Sequence, residues 1–462
     1  MSSSFIHPDF MLGNPLAQRL FHDVAADLPI IDFHCHLDPK DLAENRRFTD
    51  LTELWIATDP YKHRAMRIAG VPEAEITGNA DPRQKFQRWA ETVPLTAGNV
   101  LHAWTHLELS RFFDIDLPLT PETAEEIWTH ANARLNEHSF RAKGLLNRCN
   151  VQCIHTSDRP GDDLVHHRAL AESTRGAKVF PSLRADDLLA VSNPGYNDSL
   201  HALGVQDKTW EAFTEAVTLR LDAFDTLGCR LADHGLDTLE HHTLSESETA
   251  QLWETRMRSG SLDALQTSQL QAGLLQGLCK QYARRGWTLQ LHLGALRETS
   301  DRLRREAGPA GGYAAIRSEV DITEVAALLN ALEANDALPR TILYPLNPAH
   351  NIPLATLSGS FVEAGVPGKV SLGPAWWYND HVEGMRATLD AVANYSLLAA
   401  FPGMTTDSRS LLSMVRHELF RRVLCSWISE RVEQHQLPDD PDLLKSLVTN
   451  LSHQNAELVT GQ

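Results

Sequence analysis

Eight short apolar runs, each bounded by turn residues and followed by a polar, helix-like stretch, set the limits on this chain's architecture. In order they are PIIDFHCH (29–36), VQCIHTSD (151–158), KVFPSLR (178–184), GCRLADHG (228–235), TLQLHLG (288–294), RTILYPLNP (340–348), KVSLGPAWW (369–377) and FPGMTTDSR (401–409). They lack the strict alternation of a half-exposed sheet, so they read as buried strands. Buried strands separated by helices form a parallel sheet covered on its outer face. Eight is the number that closes a barrel. The expected fold is α/β, a (β/α)8 TIM-type barrel, and 462 residues fit such a barrel with insertions.

The interval after the first run is too long for a single crossover helix. Residues 39–147 contain the amphipathic stretches DPRQKFQRWAETV, NVLHAWTHLELSRFF and TPETAEEIWTHANARL, which read as an inserted helical subdomain over the barrel mouth. Residues 1–38 then form an N-terminal segment with the first strand. Residues 148–462 form the remainder of the barrel, with a further helical insert at about 200–285. The Gly-rich patch GPAGG (308–312) reads as a flexible loop near the site.

Bulk charge narrows the partners. With 42 basic and 60 acidic residues the formal charge is -18, which repels phosphate backbones and anionic lipid, so neither nucleic acid nor membrane is expected. An acidic substrate would need a local pocket of arginine. The six cysteines are dispersed with no CxxC pair, the N-terminal residues lack a basic region followed by an apolar core, and no apolar run reaches membrane-spanning length. The expected compartment is the cytoplasm; homo-oligomerisation is left open.

The C-terminal ends of the runs carry His34 and His36, Thr156 and Asp158, Arg184, Asp233 and His234, His292, Asn347, Trp376 and Trp377, and Asp407 with Arg409. Barrel active sites lie on that face. Polar residues flank loops on any surface, but that alone does not favour His, Arg and Asp. His34 and His36 are two apart on a strand, so both project to one side and can reach one cation. Such a pair also arises by chance at solvent-facing strand ends. Its placement after the apolar PIIDF favours ligands, and Asp407, ending the eighth run, would stand beside the first strand in a closed barrel. The ordinary alternative for Asp407 is an N-cap of the helix that follows. Two imidazoles and a carboxylate with open positions suit one divalent ion, zinc first, with manganese or iron as alternatives.

The segments AWWYNDHVEGM (375–385) and GMTTDSRSLLSMVRHELFRRVLC (403–425) closely resemble the C-terminal third of bacterial uronate isomerases, a branch of the amidohydrolase superfamily. The likeness extends through DFHCHL (32–37), YKHRAMRIAGV (61–71), NVLHAWTHLEL (99–109), DHGL (233–236), LHLGALR (291–297) and YPLNP (344–348). The resemblance implies a (β/α)8 barrel that uses one divalent metal to isomerise D-glucuronate to D-fructuronate and D-galacturonate to D-tagaturonate. It puts His34, His36 and Asp407 on the metal motif, and Tyr61, His292, Arg184 and Arg409 on substrate and catalytic positions. Four departures touch the pocket rim. His63 stands where the family commonly has Trp, Leu183 stands where Trp is usual, ETSDR replaces an Asn-rich stretch, and GPAGGYAAI lacks a usual Asp.

Aldose–ketose isomerisation moves a proton between C2 and C1 through an enediol, so charge on oxygen must be stabilised by a metal and a fixed arginine. The expected roles follow. Arg409 stabilises the enediolate, and Asp407 or a Tyr61 of lowered pKa carries the carbon-bound proton. His292 shuttles the hydroxyl proton unless it is an ordinary barrel-interior histidine. Arg184 binds the hexuronate carboxylate bidentately unless it merely pairs with Asp186 or Asp187. His63 belongs to the rim, and Trp376 and Trp377 wall the sugar, although neighbours on a strand point oppositely, so at least one should be core. Two rival readings share the pocket. One is a mononuclear hydrolase of a lactone, ester or amide, since GCRLADHG offers no bridging Lys or Glu for a second metal; the other is a sugar-acid sensor without turnover.

Overall fold

A computed structural model describes residues 4–461 and shows an α/β protein with parallel sheets. Its strands are β1 (Ile30–Asp32), β2 (Val151–His155), β3 (Lys178–Phe180), β4 (Leu183–Arg184), β5 (Leu231–Leu236), β6 (Thr288–Leu293), β7 (Ala295–Leu296), β8 (Ala315–Ile316), β9 (Thr341–Pro345) and β10 (Val370–Leu372). One sheet runs β1-β2-β3 and a second runs β10-β9-β6-β5-β4, while β7 and β8 form a separate antiparallel pair. Every residue of β1, β6, β9 and β10 is buried, as strands covered on both faces require.

Seven of the eight runs contain a strand, and two runs depart from expectation. KVFPSLR is split into β3 and β4 because Pro181, lacking an N–H, cannot donate to the ladder. The split divides the two sheets, which still meet through a parallel bridge between Asp158 and Leu183. The eighth run, 401–409, is not a regular strand. Pro402 lacks a donor, and Gly403 (φ 95°) and Asp407 (φ 46°) leave the extended region. A Cβ at Gly403 would also overlap the Leu451 carbonyl oxygen, so only glycine fits.

Side chains replace the missing ladder. The buried Asp32 carboxylate of β1 accepts from Thr405 Oγ1 (2.6 Å), the Thr406 backbone N–H (2.9 Å) and Thr406 Oγ1 (2.5 Å). Thr405 Oγ1 is also within 2.6 Å of the His34 carbonyl. Beyond this clamp two backbone bonds form, from Asp407 N–H to His34 O (3.0 Å) and from His36 N–H to Ser408 O (2.9 Å). The 401–409 segment is thereby fastened to the end of β1.

Between β1 and β2 the chain is helical, with helices Pro39–Ala43, Leu51–Trp55, Pro60–Ile68, Pro82–Thr92, Val100–Phe113, Ala124–Arg134 and Ala142–Arg148. The 200–285 interval is helical on both sides of the fourth run. Helix Trp210–Thr226 precedes β5, and helices Glu246–Ser259 and Ala264–Arg284 follow it. No helix among the described residues is long and apolar enough to cross a membrane.

Burial alone would raise the Asp32 carboxyl. His417 beside it and the bonds from Thr405 and Thr406 hold it below its ordinary 3.8 instead. A depressed carboxylate contributes stability that is full above its unfolded value and is lost as pH falls through the folded one. Asp32→Asn should therefore lower unfolding free energy by about 2–3 kcal/mol at pH 7 and flatten the acid limb below pH 3.8. Urea titrations of both proteins between pH 3 and pH 7 measure this; parallel acid limbs would rule out the clamp.

Candidate active site

The clamp delivers Asp407 to the histidines. His36 Nε2 lies 2.9 Å and His34 Nε2 3.3 Å from Asp407 Oδ1, and one ligand atom from each of the three residues falls within 4.8 Å of the others. Asp407 Oδ2 accepts from Trp376 Nε1 at 2.7 Å, so the carboxylate is fixed from both sides. It does not cap the turn that follows, which begins after Ser410 without a side-chain cap. His34 Nδ1 sits 3.2 Å from the buried Asp233 Oδ2, off the line of a hydrogen bond. A carboxylate behind a ligating imidazole is the usual support of a metal-binding histidine. The donor set of two nitrogens and one carboxylate oxygen fits a divalent ion.

The electrostatics of the cluster are mutual. Burial would raise Asp407, yet its bonds to His34 and His36 and their charge hold it well below the carboxylate range. Burial would lower His34, but Asp407 and Asp233 hold it above its ordinary value. His36 stays low because burial outweighs Asp407. His292 is driven well below its ordinary value by burial and by neighbouring His34, and so is neutral.

These residues form part of a cavity of about 420 Å³ that lies against the C-terminal ends of the strands. His34, His36, Tyr61, Arg184, His292, Trp376, Trp377, Asp407 and Arg409 all line it. Despite the chain's net negative charge, five arginines face this space, namely Arg64, Arg159, Arg184, Arg297 and Arg409. Arg409 is exposed at the rim. Arg184 donates from Nε to Asp186 (2.9 Å), lies 3.7 Å from Asp233 and still reaches the cavity, so the ion pair and the pocket position coexist. His292 stacks on Tyr344 with centroids 4.4 Å apart, and neither of its ring nitrogens has a hydrogen-bond partner among the described residues.

Two expectations are corrected, and the placement of the tryptophans is resolved. His63 does not line the cavity; it is buried, with Nε2 2.8 Å from the Ile56 carbonyl oxygen. Helix Pro60–Ile68, started by Asp59 and Pro60, presents Tyr61 and its i+3 neighbour Arg64 to the cavity, and a residue two places on from Tyr61 leaves that face. Trp376 and Trp377 both line the cavity with centroids 4.7 Å apart, the strand having ended and Trp377 adopting φ 48°; Trp376 is at the same time buried in a hydrophobic cluster, as expected of at least one of the pair. The Tyr61 phenol is not lowered. Burial and the charge of Asp407 push it well above its ordinary value despite nearby Arg416.

Arg64 and Arg297 are cavity residues that the strand-end reading does not single out, and Asp233 stands among the strand-end candidates without an assigned role. A carboxylate inside a non-alternating apolar run must have a buried partner, and that signal points to a supporting role for Asp233 behind a neighbouring basic group. The i+3 spacing from Tyr61 could have found Arg64, while nothing local singles out Arg297. The 308–312 loop is indeed at the cavity wall, held by bonds from Arg64 to the Gly312 carbonyl and from Arg67 to the Gly311 carbonyl.

Relatives share both chain and architecture. The sequence is 42% identical over 465 residues to a uronate isomerase of Marinomonas sp. (strain MWYL1), covering 99% of each chain. Among solved structures, a uronate isomerase from Thermotoga maritima superposes with a TM-score of 0.92 at 32% identity, covering 98% of this chain and 99% of that one. A glucuronate isomerase from Caulobacter crescentus superposes with a TM-score of 0.91 at 26% identity, covering 99% and 97%. Residues 2–459 match the glucuronate isomerase family, so the His-His-Asp cluster and its arginine-lined cavity sit in a chain that belongs to that family along almost its whole length.

Proposed function

We infer that this chain is a uronate isomerase of the cytoplasm, interconverting D-glucuronate with D-fructuronate and D-galacturonate with D-tagaturonate. The observation that carries the reading is the convergence of His34, His36 and Asp407 in an arginine-rich cavity. We take the parallel strands, with 401–409 in the eighth place, as a (β/α)8 barrel, and residues 39–147 as its inserted helical subdomain. His34, His36 and Asp407 would hold one divalent ion, zinc by donor chemistry, with manganese or iron as alternatives. When bound, the ion supplies Lewis-acid polarisation of a sugar oxygen.

The chain's own residues do the rest. Arg184 binds the carboxylate that distinguishes a hexuronate from a hexose. Trp376 and Trp377 wall the sugar's apolar face. Asp407 carries the proton between C2 and C1; Tyr61, whose phenol stays protonated, donates a hydrogen bond to a sugar oxygen and keeps the open chain oriented. Neutral His292, with both ring nitrogens free of hydrogen-bond partners among the described residues, moves the hydroxyl proton between O2 and O1. Arg409 stabilises the enediolate charge.

Purified enzyme incubated with either uronate should form ketose, and prior chelation should abolish it. Ketose undiminished by chelation would remove the metal reading, and untouched sugars would remove the isomerase reading. Trp376→Phe, which leaves Asp407 Oδ2 without its donor, should cost about 10–100-fold in metal affinity or kcat while near-UV dichroism shows intact packing. Loading metal-free protein with zinc near pH 6.5 should release about one proton, because Asp407 and Asp233 hold a proton on His34 that the ion must displace. A pH indicator in weak buffer reads this release, and His34→Gln should abolish it.

A further inference from the structure

Two guanidinium groups converge on one backbone position in the cavity wall. The sheet register places Arg184 beside Asp233, and Gly235, two residues on, beside His292. A Cβ built on Gly235 would overlap both Arg184 Nη2 and Arg297 Nη2, so the two groups flank a single point. Gly235 needs no unusual backbone, being absent from the positive-φ glycines. Its missing side chain serves as clearance.

Each arginine is held from behind. Arg184 Nε donates to Asp186 (2.9 Å), whose carboxylate also accepts from the Gly235 N–H (3.0 Å). Arg297 Nε donates to Asp237 (3.0 Å), and its guanidinium lies over the Trp377 ring, 5.2 Å from the centroid. Asp233, 3.7 Å from Arg184, further offsets the repulsion between the two cations. Arg297 Nη2 is buried and finds no acceptor among the described residues. Arg64 differs, since its Nη1 is engaged by the Gly312 and Ala314 carbonyls. A buried, charged donor without a protein acceptor is costly unless an oxygen from outside the chain meets it.

We propose that Arg297 and Arg184 together form the receptor for the substrate carboxylate, and that Gly235 is the clearance that lets both arms reach it. This rests on the uronate isomerase reading and adds a specificity-determining residue to it. The paired forks present donors to both carboxylate oxygens at once, which a neutral sugar cannot use.

The test compares D-gluconate, a carboxylate, with D-glucitol, its neutral counterpart, by calorimetry on the metal-loaded enzyme, alongside kinetics with D-glucuronate. Arg297→Met should weaken D-gluconate on the order of 10- to 100-fold and leave D-glucitol unchanged, and the D-glucuronate loss should fall on KM more than on kcat. Arg297→Lys should recover part of the affinity. Gly235→Ala, which displaces only the flexible ends of the two arginines, should shift affinity in the same direction with Tm close to wild type. Unaltered D-gluconate affinity in Arg297→Met, or equal weakening of both ligands, would overturn the proposal. If wild type forms no ketose, the isomerase reading fails, yet the ligand comparison still decides the role of Arg297.

Discussion

One buried carboxylate, Asp32, ties the two ends of this chain's strand series together. Where 401–409 lacks the regular geometry for a ladder, Asp32 accepts from Thr405 and Thr406 and holds the segment against β1. Hydrogen bonds to an ionised acceptor are stronger than neutral ones, so three of them substitute for several rungs. The local bend matters because it turns Asp407, at φ 46°, toward His34 and His36. A continuous strand would have obeyed strict alternation, and its side chains would have been aimed by the pleat alone.

The same economy runs through the cavity. Nearly every group there is positioned by an oppositely charged or polar partner just behind it: Asp407 by Trp376, Arg184 by Asp186, Arg297 by Asp237, and His34 by Asp233 at a distance. Acidic residues thus back the basic groups of the pocket, and this reconciles a strongly acidic chain with a cavity that suits an anion. Bulk charge governs encounters with large polyanions, whereas small-ligand recognition depends on fixed donors within a few ångströms.

The titration behaviour of the site follows from burial and close pairing. Tyr61, expected to become more acidic among cations, instead has a raised pKa because desolvation and Asp407 outweigh Arg416. A phenol raised in this way stays protonated and keeps its hydrogen to donate. His292 is neutral for a related reason: it is enclosed by His34, Tyr344 and Trp376, and burial together with His34 outweighs the charge of Asp407.

Hydrophobic patterning by itself determined the parallel α/β class, and strand-end chemistry determined the candidates His34, His36, Asp407, Arg184 and His292. Both are local properties: the run length and side-chain period of a strand are written into neighbouring residues. Only the tertiary structure decided that Arg64 and not His63 faces the cavity, that both tryptophans do, and that Arg297 meets Arg184 over Gly235. Each of these depends on where a helix face, a strand end or a distant loop is carried by packing. The split of KVFPSLR lies between the two cases, since Pro181 was visible while its consequence, two sheets bridged at Asp158 and Leu183, required neighbours brought together from afar.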